Sequence, residues 1–171
     1  MAGKQPSVLR AANVFVDGVG KVGIAEDMTL PKLELVTEEF RAGGMDTPIM
    51  IDQGVSALES SFTLKEFNAA TLAHFGIGNG NSTPFTIRGS FQSAEDGAQY
   101  PVVAQMRGMM TTVDFGTWKS GESASKSITI SLTYYRLVVN DVEVYEIDIA
   151  NSIRKINGVD RLADVRKNIG V

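Results

Sequence analysis

The 171-residue chain is 43% hydrophobic and 21% charged, enough for one domain that buries roughly 70% of its unfolded surface. It has no cysteine, which excludes disulfides and thiolate metal sites. Sixteen basic against twenty acidic side chains give a net charge of −4 and a pI near 5.0, and scattered Lys and Arg argue against tight nucleic-acid binding.

The N-terminal stretch MAGKQPSVLRAANV lacks the continuous apolar run of a signal peptide. No segment approaches the ~20 apolar residues of a membrane helix. Cytoplasmic synthesis and assembly without a membrane anchor are therefore expected. Residues 13–17 (NVFVD) read as a short strand ending in the turn pair Asp17-Gly18. Gly18-Val19-Gly20-Lys21-Val22-Gly23 matches G-x-G-x-x-G, but IAEDMTLP follows instead of a helix, so no N-terminus would meet a pyrophosphate. A glycine-rich hairpin turn is the reading here.

Residues 22–39 look extended, with Leu33 and Leu35 alternating with Lys32 and Glu34, and with 29–39 as one long strand. Pro31 cannot donate to a ladder, so it marks an edge or bend. The next run, TEEFRAGGMDTPIMIDQG (37–54), carries Met45, Ile49, Met50 and Ile51 around Pro48 and turns through Gly43-Gly44. Its own core or a neighbouring copy could cover those apolar side chains.

LESSFTL alternates, with Leu58, Phe62 and Leu64 on one face and Glu59, Ser61 and Thr63 on the other. Leu64, Phe67, Thr71 and Phe75 follow helical spacing, which predicts a helix closed by Gly76. The glycine-rich run 76–81 reads as cap plus loop, and Asn81-Ser82-Thr83 is a formal glycosylation acceptor without a secretory context. FTIRGSF (85–91), residues 100–113 and residues 127–139 are strands, the last being the strongest. In these, Gln105, Arg107 and Thr111 share one face, and Thr129, Ser131 and Thr133 alternate with apolar neighbours. Asn140-Asp141 predicts a two-residue hairpin into VEVYEID. Asp160 is expected to cap a short helix carrying Leu162, Val165 and Ile169.

The plan is mainly β: a sandwich or partly open barrel of about seven strands, one flanking helix and a short C-terminal helix, in a single domain. Strands longer than the usual five or six residues suit a sheet shared between molecules.

Catalytic constellations are hard to find. His74, the only histidine, lies late in the expected helix beside Phe75 and reads as packing or capping. Glu38-Glu39 point to opposite faces of a strand, and Glu95-Asp96 belong to a solvated turn. Trp118, in DFGTWKSGE, could anchor a partner or cap the core. No enzyme activity and no cofactor are expected.

Several segments in order carry a resemblance: NVFVDG, MTLPKLELVTEEFRAGGMDTPIMIDQG, VVAQMRGMMTTVD, GTWKSGE, SLTYYRLVVNDVEVYEID and INGVDRLADVR. Together they resemble the major tail tube protein of contractile-tail bacteriophages and the tube protein of R-type pyocins. The resemblance implies hexameric rings stacked into a hollow tube inside a contractile sheath, with strands of all subunits joined into a ring β-barrel. It implies partners among the sheath, baseplate and tape-measure proteins, DNA passing through the lumen without specific binding, and a place in the virion tail or bacteriocin particle. It implies a domain covering residues 1–171, with a loop at about 37–57 projecting onto neighbours through Glu39, Arg41, Gly43, Gly44, Met45, Ile49, Met50 and Ile51. By alternation, Glu59, Ser61, Thr63, Gln105, Arg107, Thr129, Ser131 and Thr133 become candidates for the lumen, although parity alone does not separate lumen from outer wall. A type VI secretion-like tube, a β-barrel ligand carrier and a nucleotide-using enzyme at 18–23 are the competing readings.

Overall fold

The computed structural model describes residues 6–77 and 82–171. Its strands are β1 (Ser7–Val16), β2 (Val19–Gly20), β3 (Ala25–Thr29), β4 (Leu35–Phe40), β5 (Ile49–Val55), β6 (Glu59–Leu64), β7 (Thr83–Ser93), β8 (Gln99–Asp114), β9 (Lys126–Val139), β10 (Val142–Asp148), β11 (Ile153–Ile156) and β12 (Val159–Asp160). Helix α1 (Ala69–Leu72) follows β6, and α2 (Ala163–Ile169) ends the chain. All named strands pair antiparallel, and eight of them follow the order β12-β11-β10-β9-β8-β7-β1-β2.

Strand β9 is the spine. One edge pairs with β8 over nearly its whole length. The other edge is divided: residues 126–131 pair with β6, and residues 134–139 pair with β10. Strand β3 extends the sheet beyond β6. The series β3-β6-β9-β8-β7-β1 wraps one core, where Phe62 and Phe85 meet at 6.1 Å between ring centroids. Val14, Ala104, Met106, Met110, Ile128, Ile130 and Leu132 complete it, each less than 4% exposed. Strands β1 and β3 approach without forming a ladder among the described residues, so the barrel is partly open, as the sequence predicts.

The wrap depends on a change of parity in β9. Ile128, Ile130 and Leu132 point inward, but the next buried residue is Tyr135, so Thr133 and Tyr134 form a bulge opposite Arg107 and Gly108. A bulge bends its strand and strengthens twist. Gly108 permits the close crossing. A Cβ there would lie 2.1 Å from the Ser131 carbonyl oxygen, a backbone atom that cannot move aside.

Four expectations change. Residues 29–39 are not one strand: the chain leaves the sheet at Thr29, passes Pro31 without regular structure, and starts β4 at Leu35. Proline removes the N–H that a continuous ladder would need. The helix over 64–75 shrinks to Ala69–Leu72, because Leu64 pairs with Lys126 in the β6–β9 ladder and Asn68 caps the first turn, its Oδ1 accepting the Ala70 N–H at 2.9 Å. Gly76 is not its cap. It adopts φ +70° and donates its N–H to Met110 O at 3.1 Å. The N-cap of α2 is Leu162, not Asp160; the Asp160 carboxylate instead accepts the Leu162 N–H at 3.0 Å and Arg166 at 2.6 Å.

Asn140 and Asp141 both have positive φ, as a two-residue hairpin of the predicted type needs. The 18–23 glycine run is the β1–β2 turn and the loop beyond it, with no helix following. The glycine-rich expectation at 76–81 lies outside the described residues at positions 78–81, as does Asn81 of the glycosylation triplet.

The Gly108→Ala substitution is expected to lower stability by about 2 kcal/mol or more, since overpacking against fixed backbone is costly. Gly43→Ala, where an added Cβ meets nothing within 4 Å, should stay within about 0.5 kcal/mol. Urea denaturation of both variants checks the contrast.

Candidate assembly surfaces

Strands β4 and β5 form a two-stranded sheet separate from the body. Glu38 faces Ile51, Glu39 faces Met50 and Phe40 faces Ile49. Directly paired residues share a face, so Val36, Glu38, Phe40, Ile49 and Ile51 lie on one side, and Leu35, Thr37, Glu39, Met50 and Asp52 on the other. Gln53 Nε2 donates to Glu38 at 3.1 Å across the first face. Both sides are open: Phe40 is 50% exposed, Ile49 51%, Met50 57% and Ile51 41%. An isolated hairpin is marginally stable in water, so this one needs cover.

The tip folds on itself. Arg41 Nε donates to Met45 O at 3.1 Å, and Gly44 takes φ +90° to reverse the chain. Gly43 beside it is fully in solvent. Met45 is half-buried in its own turn, with its sulfur accepting the Ala42 N–H at 3.3 Å, whereas Ile49, Met50 and Ile51 face out. Phe40 and Val36 are exposed on the face of Ile49 and Ile51, and Leu35 on the other face; none was singled out from sequence as a contact residue, and the alternation of LVTEEF against IMIDQ was the available signal.

A side-chain latch ties the arm to the body. Asp52 accepts two hydrogen bonds from Arg154 of β11, at 2.7 and 3.3 Å, and one from the Gly54 N–H at 2.8 Å. The Arg154 guanidinium, followed by the Gly54 amide, holds the Asp52 carboxyl below its usual range. Beside the latch, Gly54 adopts φ +122° where the β4–β5 register slips.

A second surface covers the outside of β3-β6-β9-β8. Glu59 pairs with Ser131, Ser61 with Thr129 and Thr63 with Ser127, all facing away from the core. Met109, Thr111 and Thr112 continue this face on β8, and the Thr111 hydroxyl donates to Thr129 O at 3.3 Å. The structure thus brings Glu59, Ser61, Thr63, Thr129 and Ser131 together. Arg107 and Thr133 sit at the bulge, and Gln105 lies beyond it, accepting from Arg136 at 3.1 Å. They border a charged ladder. Arg107 lies 4.9 Å over the Tyr134 ring, Tyr134 donates to Glu146 at 3.1 Å, and Lys155 reaches Glu146 at 2.5 Å. Lys155 is the main reason that Glu146 is held below its usual pKa, while burial pushes the Tyr134 phenol up.

The sites considered for chemistry are dispersed. His74 Nδ1 lies 3.4 Å from the Thr83 hydroxyl, and Glu95 and Asp96 sit in the turn between β7 and β8. No cluster of three His, Cys, Asp or Glu side chains suits a metal among the described residues. Among the described residues no helix is long and apolar enough to cross a membrane.

Residues 6–170 match the family described as phage tail tube protein FII. The chain belongs to the phage tail tube family. It is 36% identical to the tail tube protein of Escherichia phage P2 over 169 residues, covering 97% of this chain and 98% of that protein. It is 30% identical to the major tail tube protein of Serratia phage KSP20, covering 93% and 92%. The fold is also similar, with TM-score 0.59 and 10% identity, to a chain of the PVC extracellular contractile injection system sheath–tube complex, covering 78% of this chain and 92% of that one. A chain of the PVC sheath/tube terminator gives the same TM-score at 12% identity, with 80% and 99% covered. The tail tube subunit is therefore a structural protein whose work is to form a tube.

Since the folded pKa of Asp52 is depressed, its pairing with Arg154 is intact above the ordinary carboxylate range and is lost as pH falls through the lowered value. Carboxyl NMR titration should place Asp52 below 3.8 in the parent protein and move it upward in Arg154→Ala.

Proposed function

We infer that copies of this chain close into rings of six, and that the rings stack into the hollow inner tube of a contractile tail. The observation that carries this reading is the β4–β5 hairpin, which presents six large apolar side chains (Leu35, Val36, Phe40, Ile49, Met50 and Ile51) to solvent. Each contributes roughly 1.5–3 kcal/mol when a neighbour buries it. Ordering the hairpin and the partner offsets part of that gain.

The sheet β3-β6-β9-β8 supports ring closure. Its margins are open on both sides: among the described residues β3 has no partner strand beyond β6, and residues 111–114 of β8 run past the end of β7. Pairing β3 of one copy with that part of β8 in the next is antiparallel, continues the sheet and removes both edges. Six copies then give a barrel of roughly twenty-four strands. With ~4.7 Å between strands and a tilt of ~40°, its backbone diameter is about 45 Å. Side chains leave a channel of ~35 Å, wide enough for duplex DNA of ~20 Å.

The face turned to that channel is the one bearing Glu59, Ser61, Thr63, Thr129 and Ser131. Hydroxyls with a carboxylate give no cluster of cations for phosphates, so a polyanion slides without release of counterions. Glu39, Arg41, Gly43, Gly44, Met45, Ile49, Met50 and Ile51 belong to the contact arm. A contractile sheath surrounds the tube, baseplate and tape-measure proteins bound it, and the subunit works as a wall without a catalytic step, in a virion tail or a tail-like particle assembled in the host cytoplasm. The likeness of fold to chains from sheath–tube assemblies supports this setting.

The double substitution Ile49→Asp/Ile51→Asp is expected to leave a folded monomer with the circular dichroism of the parent and to abolish tubes in negative-stain microscopy. Normal tubes from this variant would overturn the role of the hairpin.

A further inference from the structure

Three loops meet at one end of the four-stranded sheet: residues 21–24 before β3, 65–68 after β6, and 115–125 between β8 and β9. They assemble an aromatic cap. The Phe67 ring stacks on Phe115 at 6.0 Å and meets Trp118 edge-on at 5.2 Å. The cap stands in solvent, with Phe67 45%, Phe115 42% and Trp118 68% exposed.

Beneath it lies an unbalanced charge. Lys126 is fully buried, its Nζ 5.6 Å from the centre of the Phe67 ring and without a hydrogen-bond partner among the described residues. Lys21, also buried, pairs with Glu66. The one carboxylate that acts on both buried ammonium groups, Glu66, is paired with Lys21 and not with Lys126, and Lys119 stands on the same loop as Trp118, 3.7 Å from Glu122. A buried ammonium without a matching anion is costly, so the cap fits a partner that is apolar and acidic together.

The hairpin has that composition. Residues 35–55 carry Glu38, Glu39, Asp46 and Asp52 against Arg41, beside the apolar row Phe40, Ile49 and Ile51. Its place in the fold also matches. The register puts Leu64, Lys126 and Asp114 at the capped end of the sheet, and Thr29, Glu59 and Met109 toward the other. The hairpin is joined to the body through 30–34 and 56–58, both at this second end. Arm and cap therefore lie at opposite ends of one sheet, so a head-to-tail contact between them repeats without limit along an axis.

We propose that the Phe67–Phe115–Trp118 cap is the seat for the β4–β5 hairpin of a copy in the adjacent ring, with Phe40, Ile49 and Ile51 against the aromatics and a hairpin carboxylate toward the Lys21–Lys126 side. This rests on the ring-and-stack reading above and adds the surface that receives the arm. It gives every ring two unlike faces, with the arm leaving one end and the seat waiting at the other.

The absence of cysteine makes a direct test clean. Ile49→Cys combined with Ser120→Cys keeps all three aromatics, and a short bismaleimide is added to assembled tubes. The expected result is a covalent ladder extending beyond dimer on a denaturing gel, with no ladder from either single variant. Tubes that are normal by microscopy but give no ladder overturn the seat while leaving the tube reading intact. Parent protein that never forms tubes overturns both. As a second arm, Trp118→Ala should raise the concentration needed for half-assembly about tenfold or more at unchanged monomer melting temperature. An unchanged assembly concentration would also overturn the seat.

Discussion

The two-sided pairing of β9 is the constraint from which the rest of the molecule follows. A single strand gives one edge to β8 and divides the other between β6 and β10, and it can do so only where Gly108 lets the backbones cross beside the Thr133–Tyr134 bulge. The bend turns one sheet into a wrapped barrel with a core around Phe62 and Phe85. It also leaves β3-β6-β9-β8 as a panel whose outer face is polar and whose margins are open. A fully closed barrel would have satisfied those edges internally and left nothing to join.

Function in such a protein is incompleteness placed with care. The body buries its aliphatic strands well, yet six large apolar residues of the hairpin remain in solvent, held by the Asp52–Arg154 latch beside a glycine with positive φ. At the far end of the same panel an aromatic trio covers two lysines and one glutamate. In the proposed contact between copies, hydrophobic burial supplies the attraction, and the acidic arm and lysine-rich seat give it direction, since complementary charge fixes register more than it adds affinity.

How far these features could be read in advance depends on the range of the forces that set them. Alternation in LESSFTL and SITISLTYYRLVV reports directly which side chains face the core, because side chains on a strand repeat every two residues. The hairpin residues Ile49, Met50 and Ile51 were legible as apolar side chains in a glycine-turned segment, and Asp17-Gly18 and Asn140-Asp141 declared their turns through local conformational preference. The helix over 64–75 misled for the opposite reason. Its spacing is genuine, but pairing of Leu64 with Lys126, sixty-two residues away, outweighs local propensity. Phe67, expected on that helix, stands instead in the aromatic cap.

The sequence by itself determined a β body without disulfides, its inward and outward faces, its tight turns and its kinship with tube-forming proteins, because strand periodicity and turn chemistry are local properties of the chain. Only the tertiary structure decided that Gln105 lies across a bulge from Ser131, that Asp52 meets Arg154, and that Lys21, Glu66 and Lys126 gather under three aromatics. These contacts depend on strand register and loop convergence between residues far apart in sequence, and side-chain patterns within one strand carry no information about which strand will lie beside it.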